Sequence, residues 1–381
     1  MTFEIKGFCD PRFLAMRDAF KANFDEGLEL GSSLAMTYRG RTVVDLWAGW
    51  ADPKRSKPWQ KNTIVQLFST TKIMLIMCVL MLVDRGKLKL DLPVAHYWPA
   101  FGQGGKDKVT VRDFITHQGG VPAFVPPVSF DDLHHWKRMT AHIAAQPHRF
   151  DGKKVLCYHP ATYGFVLGEL IRRVDGRNPK RFFRQEIARR ANADFHMGLS
   201  TRWDVRRVAE VEVAFTLEQA AEVSPLAAEI LGSSPLLEGG DVMSWKRLSA
   251  IMPSVNGYGN GRSVARLCAI LALRGRLGWH RYLSKRIVAE AATEQVQGDD
   301  LYIGPIKWGL GFGLSSEGFP GPSQTAFHWG GLGGSWGLMD PKARISLGFA
   351  PNYFNPGGGA AWDPRLARFN AELTKLLPAF S

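Results

Sequence analysis

Strand-like segments stand at both ends of this chain, and helical ones fill its middle. Near the N-terminus "SLAMTY" and "TVVDLW" flank the Gly-bearing loop Arg39-Gly40-Arg41, a hairpin signal. Near the C-terminus "TAFHWGGL", "SWGLMD" and "ARISLGFAPN" read as strands, the last two around a tight Pro341-Lys342 turn. From about Ser69 to about Gly259 the pattern is mainly helical, and "GRSVARLCAILALRGRLG" reads as a further long helix. Helices also close both ends. Phe13, Met16, Phe20 and Phe24 share one helical face, while Asp363 as N-cap and Pro364 at the first helical position open a helix carrying Leu366, Phe369, Leu373 and Leu376. The simplest fold is an α/β chain of α+β type. One antiparallel sheet from both termini is flanked by the terminal helices, and a mainly helical domain is inserted between its strands. The expected division is 1–67 with 260–381 for the sheet domain and 68–259 for the helical one, with the active site in the cleft between them.

A length of 381 residues at 45% hydrophobic content supports a core for two lobes. The net charge of +13 raises the question of an anionic partner. The densest basic stretch, Leu170 to Arg190, is mixed with Asp175, Glu186 and apolar positions, as on a solvated helix face. No recognition module accompanies it, so no nucleic-acid partner is expected. The four cysteines (Cys9, Cys78, Cys157, Cys268) are scattered without CxxC spacing and read as free, mostly buried thiols in a reducing compartment. No apolar signal region follows the first residues, and the run Ile73–Val83 is about half of a membrane span. A cytoplasmic protein without a membrane span is expected. His134, His135 and His142 lack a carboxylate at metal-ligand spacing, so neither metal nor cofactor is expected.

That same apolar run holds the chemistry. In "LFSTTKIMLIMCVLM" Ser69 stands three residues before Lys72, so the two share a face if Ser69 opens a helix. A helix apolar all round is buried, and burial penalises the ammonium form of Lys72. A neutral amine within reach of a hydroxyl is a general base. The plain alternative is a serine at a helix start and nothing more. A rival nucleophile, Ser335 in "GGSWG", matches G-x-S-x-G. Such an elbow needs a histidine later in the chain, but the last one is His328, and a strand follows where a helix is required. Ser335 therefore reads as a strand or turn residue.

Five segments in order resemble the serine β-lactamase and penicillin-binding superfamily, above all its class C β-lactamase-like carboxylesterases, the family VIII esterases. They are "TIVQLFSTTK", "KVTVRDFITHQGGVP", "YHPATYGFVLGELIRRVDG", "PSVNGYGNGRSVARL" and "WGGLGGSWGLMDP". The resemblance implies Ser69 as acylated nucleophile and Lys72 as its base. Tyr158 would share the base role and protonate the leaving alcohol, its pKa lowered by a nearby cation, with Tyr163 as the alternative tyrosine. The oxyanion hole would use the N–H groups of Ser69 and Leu332, with Trp329-Gly330-Gly331 on the family's K-T-G position. A one-residue shift would put His328 there and make Gly331 the donor. His328 and His159 would join Trp329, Gly330 and Gly331 around the substrate. Two departures stand out. Pro160 replaces the Asn of Y-x-N, and Trp329 replaces the Lys of K-T-G, which points from anionic lactams towards small neutral carboxylic esters as the small-molecule substrate. A β-lactamase, a small-amide hydrolase or an acyltransferase on the same scaffold is the alternative, and a non-catalytic binding protein the further one.

Overall fold

The computed structural model describes residues 4–213, 224–234, 243–355 and 363–380. Its centre is a nine-stranded sheet: β1 (Lys6–Cys9), β2 (Gly31–Tyr38), β3 (Arg41–Gly49), β4 (Val296–Asp300), β5 (Gly304–Trp308), β6 (Gly313–Leu314), β7 (Phe327–Gly330), β8 (Trp336–Asp340) and β9 (Ile345–Pro351). The spatial order is β1-β3-β2-β9-β8-β7-β6-β5-β4, with every neighbour antiparallel. The two chain ends meet where β2 pairs β9, with Leu34 opposite Phe349 and Met36 opposite Leu347. The expected sheet of both termini is thus present.

One face of the sheet packs on the terminal helices α1 (Leu14–Asp25) and α5 (Pro364–Leu376). Phe13, Met16, Phe20, Phe24, Leu366, Phe369 and Leu373 are buried there against Leu34, Leu338 and Leu347. Asp363 caps α5 by accepting the Arg365 N–H at 2.9 Å. On the other face lie α2 (Thr71–Asp84), α3 (Thr162–Asp175) and α4 (Gly261–Ala272). A side chain at Gly348 would collide with the Gly261 carbonyl, so glycine there lets α4 lie directly on the sheet. Ile73 to Leu82 are all at most 2% exposed, so α2 is the central helix its composition requires. Its cluster joins sheet residues Trp308, Phe327 and Trp329 to helical-lobe residues such as Phe114, Tyr163 and Leu167 in one continuous core.

Local differences from the sequence reading have local causes. The first hairpin turn has two residues, not three. Tyr38 pairs with Arg41, and Arg39 and Gly40 have φ of 51° and 78°, the left-handed pair that matches strand twist. The last hairpin is joined by four residues, 341–344, because Asp340 pairs Ile345 and its carboxylate accepts the N–H groups of Lys342 and Ala343. The long helix stops at Ala272. Arg274 and Gly275 turn left-handed (φ 55° and 88°), and a small hairpin, Arg276–Leu277 with His280–Arg281, follows. Strands β4 to β6 were not read from the sequence at all. Among the described residues no helix is long and apolar enough to cross a membrane.

Candidate active site

A second, three-stranded sheet sets up the site. Val65–Gln66 pairs with Gly257–Gly259, which pairs with His196–Met197. The Leu67 N–H donates to Gly257 O at 2.8 Å, and the Gly257 N–H to Thr71 Oγ1 at 2.9 Å. The chain around Ser254 is thereby clamped beside the start of α2. Ser69 sits in a single 3-10 turn, Phe68–Thr70, ahead of that helix. Phe68 has φ 42°, an unfavourable value for a bulky residue and a sign of stored strain next to a reactive group. Ser69 does not cap α2, whose N-cap position is Thr70 with no side-chain cap bond. Ser69 is therefore not a helix cap, and the residue is half-buried.

Lys72 Nζ lies 3.1 Å from Ser69 Oγ. It donates to Pro160 O at 2.7 Å and to Ser254 O at 3.2 Å. The side chain is 1% exposed, and burial pushes its pKa far below the ordinary lysine value. A neutral amine has two N–H donors and one lone pair. Burial favours this form, in which the two donors match the two carbonyls and the lone pair faces the Ser69 hydroxyl.

Tyr158 follows in the loop before α3. Its N–H donates to Asp300 Oδ1 at 3.0 Å, and its ring lies against His117, Trp308 and Trp329 at 4.6, 6.5 and 5.3 Å between centroids. Lys72 Nζ is 4.8 Å from the ring centroid. The expectation of a lowered Tyr158 pKa is overturned. Burial pushes the phenol up, and the Ser69 hydroxyl and Trp329 indole near its oxygen offset this only in part. Tyr163 is excluded as the alternative because its hydroxyl donates to Ile115 O at 2.9 Å inside the core.

Strand β7 and the turn after it face Ser69. A side chain on Gly331 would strike Leu67 O and come within 3.0 Å of the Ser69 nitrogen, so only glycine lets the strand lie this close. The Gly331 N–H is spent on Ser335 O at 2.8 Å. This counts against Gly331 as an oxyanion donor. Gly334 N–H donates to Gly331 O at 3.0 Å, closing a turn in which Gly333 has φ 83°. The inner N–H groups of such a turn have no partner within it, which leaves the Leu332 N–H free. Trp329 packs on Tyr158, Trp308 and Phe319.

Two of the expected substrate-contacting residues lie elsewhere. His328 pairs with Leu338 on the face towards the terminal helices, accepts the Trp336 indole N–H at 3.1 Å and stacks on Phe319. Side chains alternate along a strand, so His328 and Trp329 cannot both face Ser69. His159 is 0% exposed, accepts the Val121 N–H through Nε2 and packs on Phe114. Burial holds both imidazoles neutral, at about 3.

Other residues escaped the sequence reading. Ser335 Oγ donates to Leu67 O at 2.7 Å and meets Thr70 Oγ1 at 2.8 Å, tying the turn to the Ser69 segment. Arg365, fully buried between Asp363 and Glu29, donates to Gly333 O at 2.7 Å from the opposite side. Asp300 and Ser254 hold Tyr158 and Lys72 as described. Ser335 lies in the turn, as its sequence context implies, but its bond to the Ser69 segment has no local signal, and neither has Arg365. Among the described residues no His, Cys, Asp and Glu group could hold a metal ion.

Comparison with known proteins places this geometry. The Beta-lactamase family profile matches residues 20–371. The chain is 32% identical over 370 residues to a Mycobacterium tuberculosis (strain ATCC 25618 / H37Rv) protein named Esterase/beta-lactamase LipL, covering 91% of this chain and 82% of that one. A solved family VIII carboxylesterase superposes with a TM-score of 0.88 at 34% identity, over 99% of this chain and 100% of the other. A penicillin-binding protein homolog from Caulobacter crescentus matches with the same TM-score, identity and coverage. The chain belongs to the Beta-lactamase family.

Proposed function

We propose that the chain is a serine carboxylesterase that cleaves small neutral esters through an acyl-enzyme on Ser69. The observation that carries this is the 3.1 Å approach of Lys72 Nζ to Ser69 Oγ, with both amine donors already committed to carbonyls. Lys72 takes the hydroxyl proton as Ser69 Oγ bonds to the ester carbonyl carbon. The negative charge passes to the carbonyl oxygen, where the N–H groups of Ser69 and Leu332 receive it. As the C–O bond breaks, Tyr158 gives its phenol proton to the leaving alcohol and is reprotonated from Lys72. A phenol raised by burial starts in the form this step needs. Water then repeats the sequence on the acyl-enzyme.

The relative's printed name couples esterase with beta-lactamase, and the residues at the K-T-G position support the esterase reading. Trp329 offers an apolar wall and an indole N–H in place of a cation, and Pro160 O is occupied by Lys72. Neither supplies the cation that would pair with a lactam carboxylate. The division into 1–67 with 260–381 and 68–259, with Ser69 between the two, belongs to the same reading. Esters of graded acyl length, a cephalosporin and an acyl acceptor assayed side by side test it. Turnover highest on short esters agrees, and a cephalosporin hydrolysed faster than every ester would overturn the substrate class.

A further inference from the structure

The hairpin after α4 ends in Gly278-Trp279, and Trp279 is 93% exposed. The other most exposed tryptophan, Trp203, is covered by Arg206 at 4.6 Å, whereas Trp279 has no such cover. Around it three turns meet. The position a side chain would take at Gly40 lies 3.0 Å from Leu273 and 3.4 Å from Leu277, so the β2–β3 turn packs on the Trp279 hairpin. The Arg39 N–H donates to Arg344 O at 2.8 Å, which joins the β8–β9 turn to both.

These turns carry Arg39, Arg41, Arg274, Arg276, Arg281, Lys342 and Arg344, all exposed. Among the described residues none of the seven forms an ion pair. In the densest basic stretch half of the cations are compensated: Arg172, Arg173, Arg177 and Arg190 pair with carboxylates, while Lys180, Arg181, Arg184 and Arg189 do not among the described residues. Seven such cations on three adjoining turns therefore surround one bare indole at this end of the molecule.

We infer that this end is a docking surface for an anionic phospholipid bilayer. An indole at the tip of a two-residue turn suits the headgroup layer, where its ring meets acyl chains and its N–H stays wet. The flanking guanidinium groups meet lipid phosphates. Three convex turns fit a flat surface and offer no groove for a nucleic-acid strand. The site is remote from Ser69. Strand β8 leads away from the Gly331–Ser335 turn, about 17 Å over its five residues, and α2 runs about 21 Å from the Ser69 end. Docking here leaves the catalytic residues at the far end, facing water-borne esters.

Co-sedimentation with vesicles of equimolar phosphatidylglycerol and phosphatidylcholine, against pure phosphatidylcholine, tests this with the whole protein. Binding is expected on the anionic vesicles only and should weaken with salt. Trp279→Ser should weaken it, and Arg274→Gln with Arg276→Gln by about thirtyfold, or about fivefold per cation. Both variants should keep wild-type turnover of a soluble ester. Absence of vesicle binding, binding unchanged in Trp279→Ser, or a Trp279-dependent affinity for single-stranded DNA in its place would overturn the inference.

Discussion

Ser335 Oγ donates to the carbonyl of Leu67 at 2.7 Å across 268 residues of sequence, and so fixes the distance between the strand that ends at Gly330 and the turn that holds Ser69. The two proposed oxyanion donors, the N–H groups of Ser69 and Leu332, sit on the two segments this bond joins. Arg365 holds the same turn from behind through Gly333 O. A serine whose motif suggests a nucleophile is thus a strut for another serine's site.

Removing the strut should show in turnover, not in substrate affinity. Ser335→Ala should lower kcat by about tenfold, below the 10²–10³ of losing an oxyanion donor outright, with KM little changed. Thermal unfolding should confirm that the fold survives. Unchanged kcat would mean that the turn holds its place without this bond.

As the proposed base, Lys72 should set the pH dependence. Its folded pKa lies well below the ordinary lysine value. Below that depressed pKa the amine is charged and cannot accept the Ser69 proton. The ester kcat/KM should therefore rise with pH through it and level off above. Lys72→Arg keeps a charge at every accessible pH, and should lose about 10²–10⁴-fold in kcat with no rising limb. A pH–rate series on both proteins checks this.

Tyr158→Phe keeps the ring among His117, Trp308 and Trp329 and removes only the proposed acid. The fold should persist, and kcat should fall about 10²-fold or more. The loss should shrink for esters whose alcohols leave without a proton, such as p-nitrophenol. Equal losses on alkyl and nitrophenyl esters would count against leaving-group protonation.

The buried cluster behind the turn gives a stability signature. Burial pushes Glu29 from 4.5 up to about 8, partly offset by Arg365. A raised carboxyl binds more protons folded than unfolded between those values. Its contribution is complete below about 4.5 and is lost as pH rises through about 8. The melting temperature of Glu29→Gln relative to the parent should therefore climb across that window. A flat difference would show that Glu29 is ionised in the folded state.

Much of this was written locally. The apolar run behind Lys72, the Asp363-Pro364 helix start and the alternating strands 327–330 and 336–340 state their structure in a few neighbouring residues. Strands Val296–Asp300 and Gly304–Trp308 do not. They lie at the sheet edge with Gly298, Asp299, Asp300 and Pro305 among ten residues, and pair only because the chain folds back on them. The site divides the same way. Ser69 and Lys72 are one helical turn apart and legible, whereas Ser335, Asp300 and Arg365 act through contacts that no spacing encodes. His159 and His328 misled because a histidine beside a motif reads as chemistry, while each here is a neutral acceptor holding an N–H.

The proposed mechanism turns on an acyl-enzyme at Ser69. Intact-mass and peptide mass spectrometry after rapid acid quench of the protein turning over a p-nitrophenyl ester tests it most directly. One acyl group is expected on the peptide bearing Ser69, absent in Ser69→Ala along with turnover. An unmodified Ser69, or a Ser69→Ala variant that still hydrolyses the ester, would contradict it.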